Sequence, residues 1–474
     1  MVKEHIFNRI EHNFSFEPTS SQLLAMKQMA AFMASVSDMP LLLLKGFAGT
    51  GKTTLMGAFV KMLTEFGIQC VLLAPTGRAA KVLSMGAGQE AFTVHKKIYR
   101  QISSKDGFGG FNLNKNLHKD TVFIVDEASM ISNESVGGSV FGSGRLLDDL
   151  IRYVYEATNC RLVLLGDTAQ LPPVGLSVSP ALEADFLQGY GVELFQAVLT
   201  DVVRQKMGSG ILYNATNLRV LLEQEEEIED YPLLESTGWS DIRRITGAEL
   251  MEEIQWCYDN YGLEDTLIVC RTNKRANLYN QGIRNSILFR EEELSVGDYL
   301  LIMKNNYHWL KDNEEMSFIA NGDIARVSRV KRHQELYGYR FADVICELVD
   351  YRTVEIETRV ILDSLTSPGA GFTMEQQDAF LKTVLEDYQD VNPPRKQFEM
   401  ARENDFYNAL QVKFAYAMTC HKAQGGQWKA VFVDLGYFTE EYLSRELVRW
   451  LYTASTRATE RLYFVNFPKE FYKD

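Results

Sequence analysis

The run Gly46-Phe-Ala-Gly-Thr-Gly-Lys-Thr53 limits what this chain can fold into more than any other feature. It follows the apolar stretch LLLL at 41–44 after the single residue Lys45 and leads into a helical stretch. It fits the phosphate-loop pattern G-x-x-x-x-G-K-[ST] in the strand, loop and helix setting that the pattern requires. Gly46, Gly49 and Gly51 let backbone N–H groups curl around phosphates, and the helix N-terminus that follows favours negative charge. Lys52 is placed to reach the β/γ-phosphates, and the Thr53 hydroxyl to ligate Mg²⁺. Such a loop needs a parallel sheet around it. Short apolar runs at 71–74, 122–125 and 162–165 supply one, and similar runs at 267–270, 431–433 and 462–465 imply a second α/β unit, without a detectable repeat.

Between 294 and about 363 the texture changes to alternating strand, as in TVEIETRV at 353–360, with turns at Val296-Gly-Asp298 and Asn321-Gly-Asp323. A small antiparallel barrel inserted in the second unit is expected. After it, SPGAGFTMEQQ and DVNPPRKQ bracket an amphipathic helix at 376–389. Residues 101–119, containing KDGFGGF, read as a short hairpin or loop inserted in the first unit. Its glycines allow a tight turn. Phe108 or Phe111 offers an apolar face on which a base pair could stack, or else packs on the first unit.

At 474 residues the chain is too long for one ordinary core. Its 46% hydrophobic and 24% charged residues suit a globular protein, and no apolar run approaches membrane-spanning length. The start, MVKEHIFNRIEHNFSFEP, lacks a signal-peptide pattern, so a cytoplasmic or nucleoid address is expected. The 6 cysteines are scattered without metal-ligand spacing and read as reduced, buried residues. Net charge is -14, yet residues 78–100 carry Arg78, Lys81, Lys96, Lys97 and Arg100 against a single acid, Glu90. Contact with nucleic acid would be made in a groove, without long-range steering.

The apolar run at 122–125 ends in Asp126-Glu127. Asp126 is suited to hold Mg²⁺, and Glu127 to polarise an attacking water. An arginine that stabilises the transferred phosphoryl group should come from a facing surface, and Arg204 in TDVVRQ and Arg457 in TASTRAT are the candidates.

In chain order, PTSSQ (18–22), GFAGTGKTT, LLAPTGRAAK (72–81), FTVHK (92–96), DEASM (126–130), GDTAQLPPVG (166–175), LTDVVRQ (199–205), YAMTCHKAQGGQW (416–428) and LYTASTRATERL (451–462) resemble the motifs of superfamily 1 helicases. The match is closest to the PIF/RecD-like 5′-to-3′ subgroup that includes the phage Dda helicases. The resemblance implies an α/β fold of two RecA-like lobes, with the hairpin in the first and the barrel in the second. The expected boundaries are 1–200, 201–293, 294–410 and 411–474, the third being the barrel-containing insertion. It implies an ATP- and Mg²⁺-dependent DNA helicase acting on single strands and their junctions with duplex, working as a monomer, with single-strand-binding or repair proteins as partners and no membrane role.

Residue roles follow from the same resemblance. Gln22 corresponds to an adenine-reading glutamine, and Gly49, Thr50, Gly51, Lys52, Thr53 and Thr54 hold the nucleotide. Gln170 senses the γ-phosphate, while Arg204 and Arg457 meet the triphosphate when the lobes close. Thr76, Arg78, Thr93, His95, Thr419, His421, Lys422 and Gln424 fall in motifs that line the strand groove of relatives. The glycine-containing segment 134–155 corresponds to a region characteristic of the PIF group. A phosphate-loop kinase would account for GFAGTGKTT and DEASM but would need neither GDTAQLPPVG nor a second lobe. A DNA-stimulated ATPase or translocase subunit of a recombination or repair complex, without independent unwinding, stays open, because unwinding and translocation share one motor.

Overall fold

The computed structural model describes residues 2–101, 111–134, 141–202, 208–224, 228, 230–310, 318–351, 354–369 and 371–473. Leu41 and Leu43 enter one apolar core while Leu42 and Leu44 enter another, as a strand buried on both faces requires. That strand is β1 (Pro40–Gly46). It is followed by β2 (Gln69–Ala74), β3 (Ala91–Thr93), β4 (Tyr99–Gln101), β5 (Phe111–Leu113), β6 (Thr121–Val125), β7 (Arg161–Gly166) and β8 (Glu193–Leu199). Six of these form a wholly parallel sheet in the order β3-β2-β6-β7-β1-β8. Helices Ser20–Met33 and Lys52–Glu65 cover one face, and Leu146–Tyr155 covers the other. Strands β3 and β8 carried no signal in the sequence. One has 3 residues, and the other is an edge strand, half exposed.

The second lobe repeats the plan. Strands β9 (Ile242–Ile245) and β10 (Thr266–Cys270) precede the barrel, which comprises β11 (Tyr299–Ile302), β12 (Ile324–Leu336), β13 (Tyr339–Leu348), β14 (Glu355–Ile361) and β15 (Leu410–Phe414). The lobe resumes with β16 (Ala417–Thr419), β17 (Trp428–Asp434) and β18 (Ala458–Val465), in the parallel order β16-β10-β17-β18-β9. The barrel closes through β15, which pairs parallel with β14 and antiparallel with β11, so its last wall comes from beyond the helical segment. The amphipathic helix spans Met374–Glu386, started by a Thr373/Gln376 capping box.

One core runs without a break from β10 and β17 into the barrel through Leu300, Ile302, Val344 and Phe414. At the barrel's root, the buried Asp298 accepts from Arg284 Nε (3.1 Å), Arg290 Nη1 (2.5 Å) and Tyr416 Oη (2.8 Å). A buried carboxylate is tolerated only with partners of this kind. Among the described residues no helix is long and apolar enough to cross a membrane.

The inserted hairpin has an antiparallel stem, with Tyr99 opposite Leu113 and Gln101 opposite Phe111. Its tip, including Phe108, lies outside the described residues. Phe111 is not a free stacking face: it is 3% exposed, with ring centroids 4.9 Å from Phe141, 4.3 Å from Tyr307 and 6.0 Å from Phe318. Tyr307 and Phe318 belong to the loop between β11 and β12, so the cluster ties the first-lobe hairpin to the barrel. Replacing Phe111 by alanine should cost roughly 3–5 kcal/mol, the range for deleting a buried phenylalanine. Urea unfolding of the two proteins measures it. A loss well under ~1 kcal/mol would show that the cluster bears no load.

Candidate nucleotide and strand site

Ligands of open parallel sheets bind beyond the carboxyl ends of the strands, and here β1, β6 and β7 end in the phosphate loop, Asp126-Glu127 and Asp167. These ends open into a cleft of about 440 Å³. The first lobe contributes Gln22, Gly49, Gly51, Lys52, Thr53, Thr54, Asp126, Glu127 and Gln170, and the second contributes Leu212 and Arg457. All the nucleotide and metal candidates in the described residues therefore meet in one place except the Thr50 side chain. That hydroxyl is buried and donates to Phe47 O (2.8 Å), bracing the loop from within. Arg204 lies outside the described residues.

The loop is held in shape by its neighbours. Gly49 and Gly51 adopt φ of 75° and 83°, which disfavour any residue with a Cβ. A Cβ on Gly51 would also lie 2.7 Å from Gln22 Nε2. Gln22 is 1% exposed: its Oε1 accepts from Thr19 N (2.9 Å) and its Nε2 donates to Thr50 O (2.9 Å). One N–H and one lone pair of the amide are thus committed to the loop and the helix cap, and one of each is left for a base. Phe16, 62% exposed at the cleft mouth, offers a flat apolar face beside it. Lys52 Nζ lies across the loop, donating to Gly46 O (2.6 Å) and Phe47 O (3.0 Å).

Burial raises the pKa of both Asp126 and Glu127, opposed by the positive charges of Lys52 and, for Glu127, Arg457. Asp126 Oδ1 accepts from Glu127 N (2.8 Å), and Glu127 sits at φ 52°, a left-handed conformation uncommon outside glycine. Backbone strain of this kind, of order 1–3 kcal/mol, persists where the surroundings impose it. The Glu127 carboxylate lies 4.0 Å from Arg457 Nη1. Two crowded carboxylates whose burial disfavours their charge form a site that gains from a cation. Asp126 and the Thr53 hydroxyl are hard oxygen donors suited to Mg²⁺.

The second lobe reaches this site mainly through helix Arg445–Ser455 and the turn after it. Tyr452 Oη donates to Asp167 Oδ2 (2.6 Å) and accepts from Ala48 N of the phosphate loop (2.8 Å). Thr453 Oγ1 accepts from Leu171 N (2.9 Å). Arg457, 4% exposed, donates to Thr453 O (3.0 Å) and Gly426 O (3.1 Å), which fix its guanidinium. Gln424 Nε2 donates to Leu171 O (2.8 Å) and lies 3.3 Å from Gln170 Oε1. Sequence reasoning singled out neither Tyr452, Thr453 nor Asp167. All three lie inside quoted motifs, but a hydroxyl or carboxylate that acts by bridging two lobes carries no spacing signature of its own.

The strand candidates do not form one continuous line. Thr76 and Thr93 cap helices, accepting from Ala79 N and Lys96 N (each 3.2 Å). His95 packs against Tyr99 and Phe141, and burial pushes its pKa down to about 4, so it is a neutral ring in the aromatic cluster. Gln424 is buried and faces Gln170. Arg78 lies over the Trp428 ring at 4.7 Å and spans toward the second lobe. Thr419 and His421 are at least partly accessible beside Lys422, which donates to the Asn321 side chain of the barrel. Burial lowers the Lys422 pKa to about 8.

Comparison with known proteins agrees with this layout. The AAA domain family matches residues 23–220, and the UvrD-like helicase C-terminal domain family matches residues 414–465. The chain is 24% identical over 444 residues to the ATP-dependent DNA helicase dda of Enterobacteria phage T4, covering 89% of this chain and 93% of that protein. It is 27% identical over 455 residues to the ATP-dependent RecD2 DNA helicase of Deinococcus radiodurans, covering 92% of this chain and 48% of that one. It spans 36% of the length of an uncharacterised Methanocaldococcus jannaschii protein to which it is 23% identical. A Pif1 helicase from Bacteroides, solved with ADP-AlF3 and ssDNA, aligns with a TM-score of 0.48 at 16% identity, over 97% of this chain and 95% of that one. In the order of its motifs, in the two matched families and in its phage and bacterial relatives, this chain is similar to the PIF/RecD-like, Dda-like group of superfamily 1B helicases.

Proposed function

We propose that the chain is an ATP-dependent DNA helicase that moves 5′ to 3′ along single-stranded DNA and separates duplex ahead of it. One observation carries the reading: Arg457 of the second lobe faces Glu127 of the first across 4.0 Å, at the bottom of the cleft beside the phosphate loop. Hydrolysis completed by a group from the opposite lobe is tied to the spacing of the lobes, which is what a motor requires. Lys52 neutralises the β/γ-phosphates, and Glu127 orients the attacking water and accepts its proton. Arg457 stabilises charge on the transferred phosphoryl group, and Gln170, backed by Gln424, reports the γ-phosphate to the second lobe. Mg²⁺ held by Thr53 and Asp126 would supply further neutralisation of the phosphates. Polarity and the preference for DNA rest on the relatives' names and the motif resemblance.

Two kinds of variant test the chemistry. Glu127→Gln should lower kcat by about 100-fold or more while nucleotide still binds, and Lys52→Ala should act comparably through lost charge stabilisation. Tyr452→Phe keeps the ring and removes the hydroxyl bridging Ala48 and Asp167. It should lower kcat by roughly tenfold, as expected for ~1.4 kcal/mol of lost positioning, with little change in KM. Ordinary turnover by Glu127→Gln would remove the general base from the account.

Duplexes carrying a single-stranded tail of either polarity test the movement. Strand release with ATP and Mg²⁺ is expected from 5′-tailed and not from 3′-tailed substrate. Preference for the 3′ tail would contradict the proposal.

A further inference from the structure

The basic face of the first lobe is already covered by acids of the barrel. Helix Gly77–Ala87 starts there, with Arg78 and Lys81 on its first turns and Lys96 on the neighbouring helix Val94–Ile98. Above it sits the turn that follows β13. Asp350 in that turn has a fully buried side chain, and its Oδ1 lies 3.5 Å from both Arg78 Nη1 and Lys81 Nζ. Lys81 Nζ also donates to Val349 O (2.9 Å). Tyr351 carries the Lys96 ammonium over its ring at 5.1 Å, and its Oη donates to Asp323 Oδ1 (3.1 Å). A Cβ added to Gly77 would lie 2.8 Å from Asp323 Oδ1 and 2.6 Å from Tyr351 Oη, so the carboxylate rests almost on the first residue of the helix.

Helix N-termini favour anions, and arginine beside lysine favours phosphate oxygens. The cation position is taken by Asp350, while Asp323, which accepts from Ala320 N and Tyr351 Oη, lies against Gly77. The pairing is loose for a buried ion pair: both contacts to Asp350 are at 3.5 Å, and its Oδ2 is buried without a hydrogen-bond partner among the described residues. An orphaned, buried carboxylate oxygen is costly, which favours an arrangement that can be exchanged for a better one. We propose that Asp350 is an intramolecular phosphate mimic, with Asp323 and Tyr351 bracing its turn: the barrel turn latches the basic face of the first lobe, and a single strand reaches Arg78 and Lys81 by displacing it. This rests on the reading of Arg78 as a strand contact. It adds that the free protein holds the contact closed, so its apparent strand affinity is reduced by the fraction of molecules whose latch is open.

The test is binding of a fluorescent single-stranded oligothymidylate by the full chain, followed by anisotropy at low salt. Asp350→Asn should bind about threefold to tenfold more tightly than the native protein, because removing the competing charge raises the open fraction. Arg78→Ala/Lys81→Ala should bind more weakly, and adding Asp350→Asn to that pair should bring no gain, since the latch then has nothing to cover. Tyr351→Phe, which loses only the hydroxyl on Asp323, should tighten binding about twofold and decides the matter if Asp350→Asn does not fold. Unchanged or weaker binding by both folded variants, with Arg78→Ala/Lys81→Ala still impaired, would overturn the latch alone. Unimpaired binding by Arg78→Ala/Lys81→Ala would overturn the latch together with the strand face on which it rests.

Discussion

The hydroxyl of Tyr452 lies between the two halves of the molecule, accepting from the phosphate-loop Ala48 N–H and donating to Asp167. Its helix belongs to the second lobe and both partners belong to the first. Two residues of the same segment extend the contact, Thr453 to the Leu171 amide and Arg457 toward Glu127. A buried hydroxyl that loses its partners incurs a desolvation cost of about 1–3 kcal/mol, so these bonds hold the lobes in register rather than merely alongside. With the lobes joined in this way, the phosphate loop, Glu127 and Arg457 stand side by side in one cleft.

Movement of the second lobe does not stay within it. Its sheet shares an apolar core with the barrel, and Asp298, clasped by Arg284, Arg290 and Tyr416, fixes the root of that barrel. The barrel in turn meets the first lobe at the aromatic cluster around Phe111 and at the turn carrying Asp350. Separation of the lobes at the nucleotide therefore acts on the surface where a strand would lie. Coupling of this kind needs discrete packed contacts with alternative arrangements, and the loosely paired Asp350 is one that can exchange.

Much of this was legible in the sequence because the relevant physics is local. Leu41 to Leu44 require a strand buried on both faces, the glycines after them require a phosphate loop, and Asp126-Glu127 ends the strand β6 that lies two places away in the sheet. Contacts distant in sequence were not legible. The barrel was readable from its alternating strands, but the strand that closes it, LQVKF, is set apart from the others by the helical segment. Phe111 was equally compatible with a wedge or a core, and its neighbours come from two other parts of the chain, Phe141 from one and Tyr307 and Phe318 from the β11–β12 loop. Gln424 reads as a groove residue by motif, yet just past the end of helix Cys420–Ala423 its buried side chain turns to Gln170 and the Leu171 carbonyl, contacts distant in sequence.

If the second lobe completes the hydrolytic site, turnover depends on closure around a strand. Steady-state ATP hydrolysis by the native chain, with and without a saturating unstructured single-stranded oligonucleotide, measures this most directly. Turnover should be faster by about tenfold or more with the strand present, equivalent to at least ~1.4 kcal/mol of barrier removed by closure. Equal rates in the two conditions would contradict it.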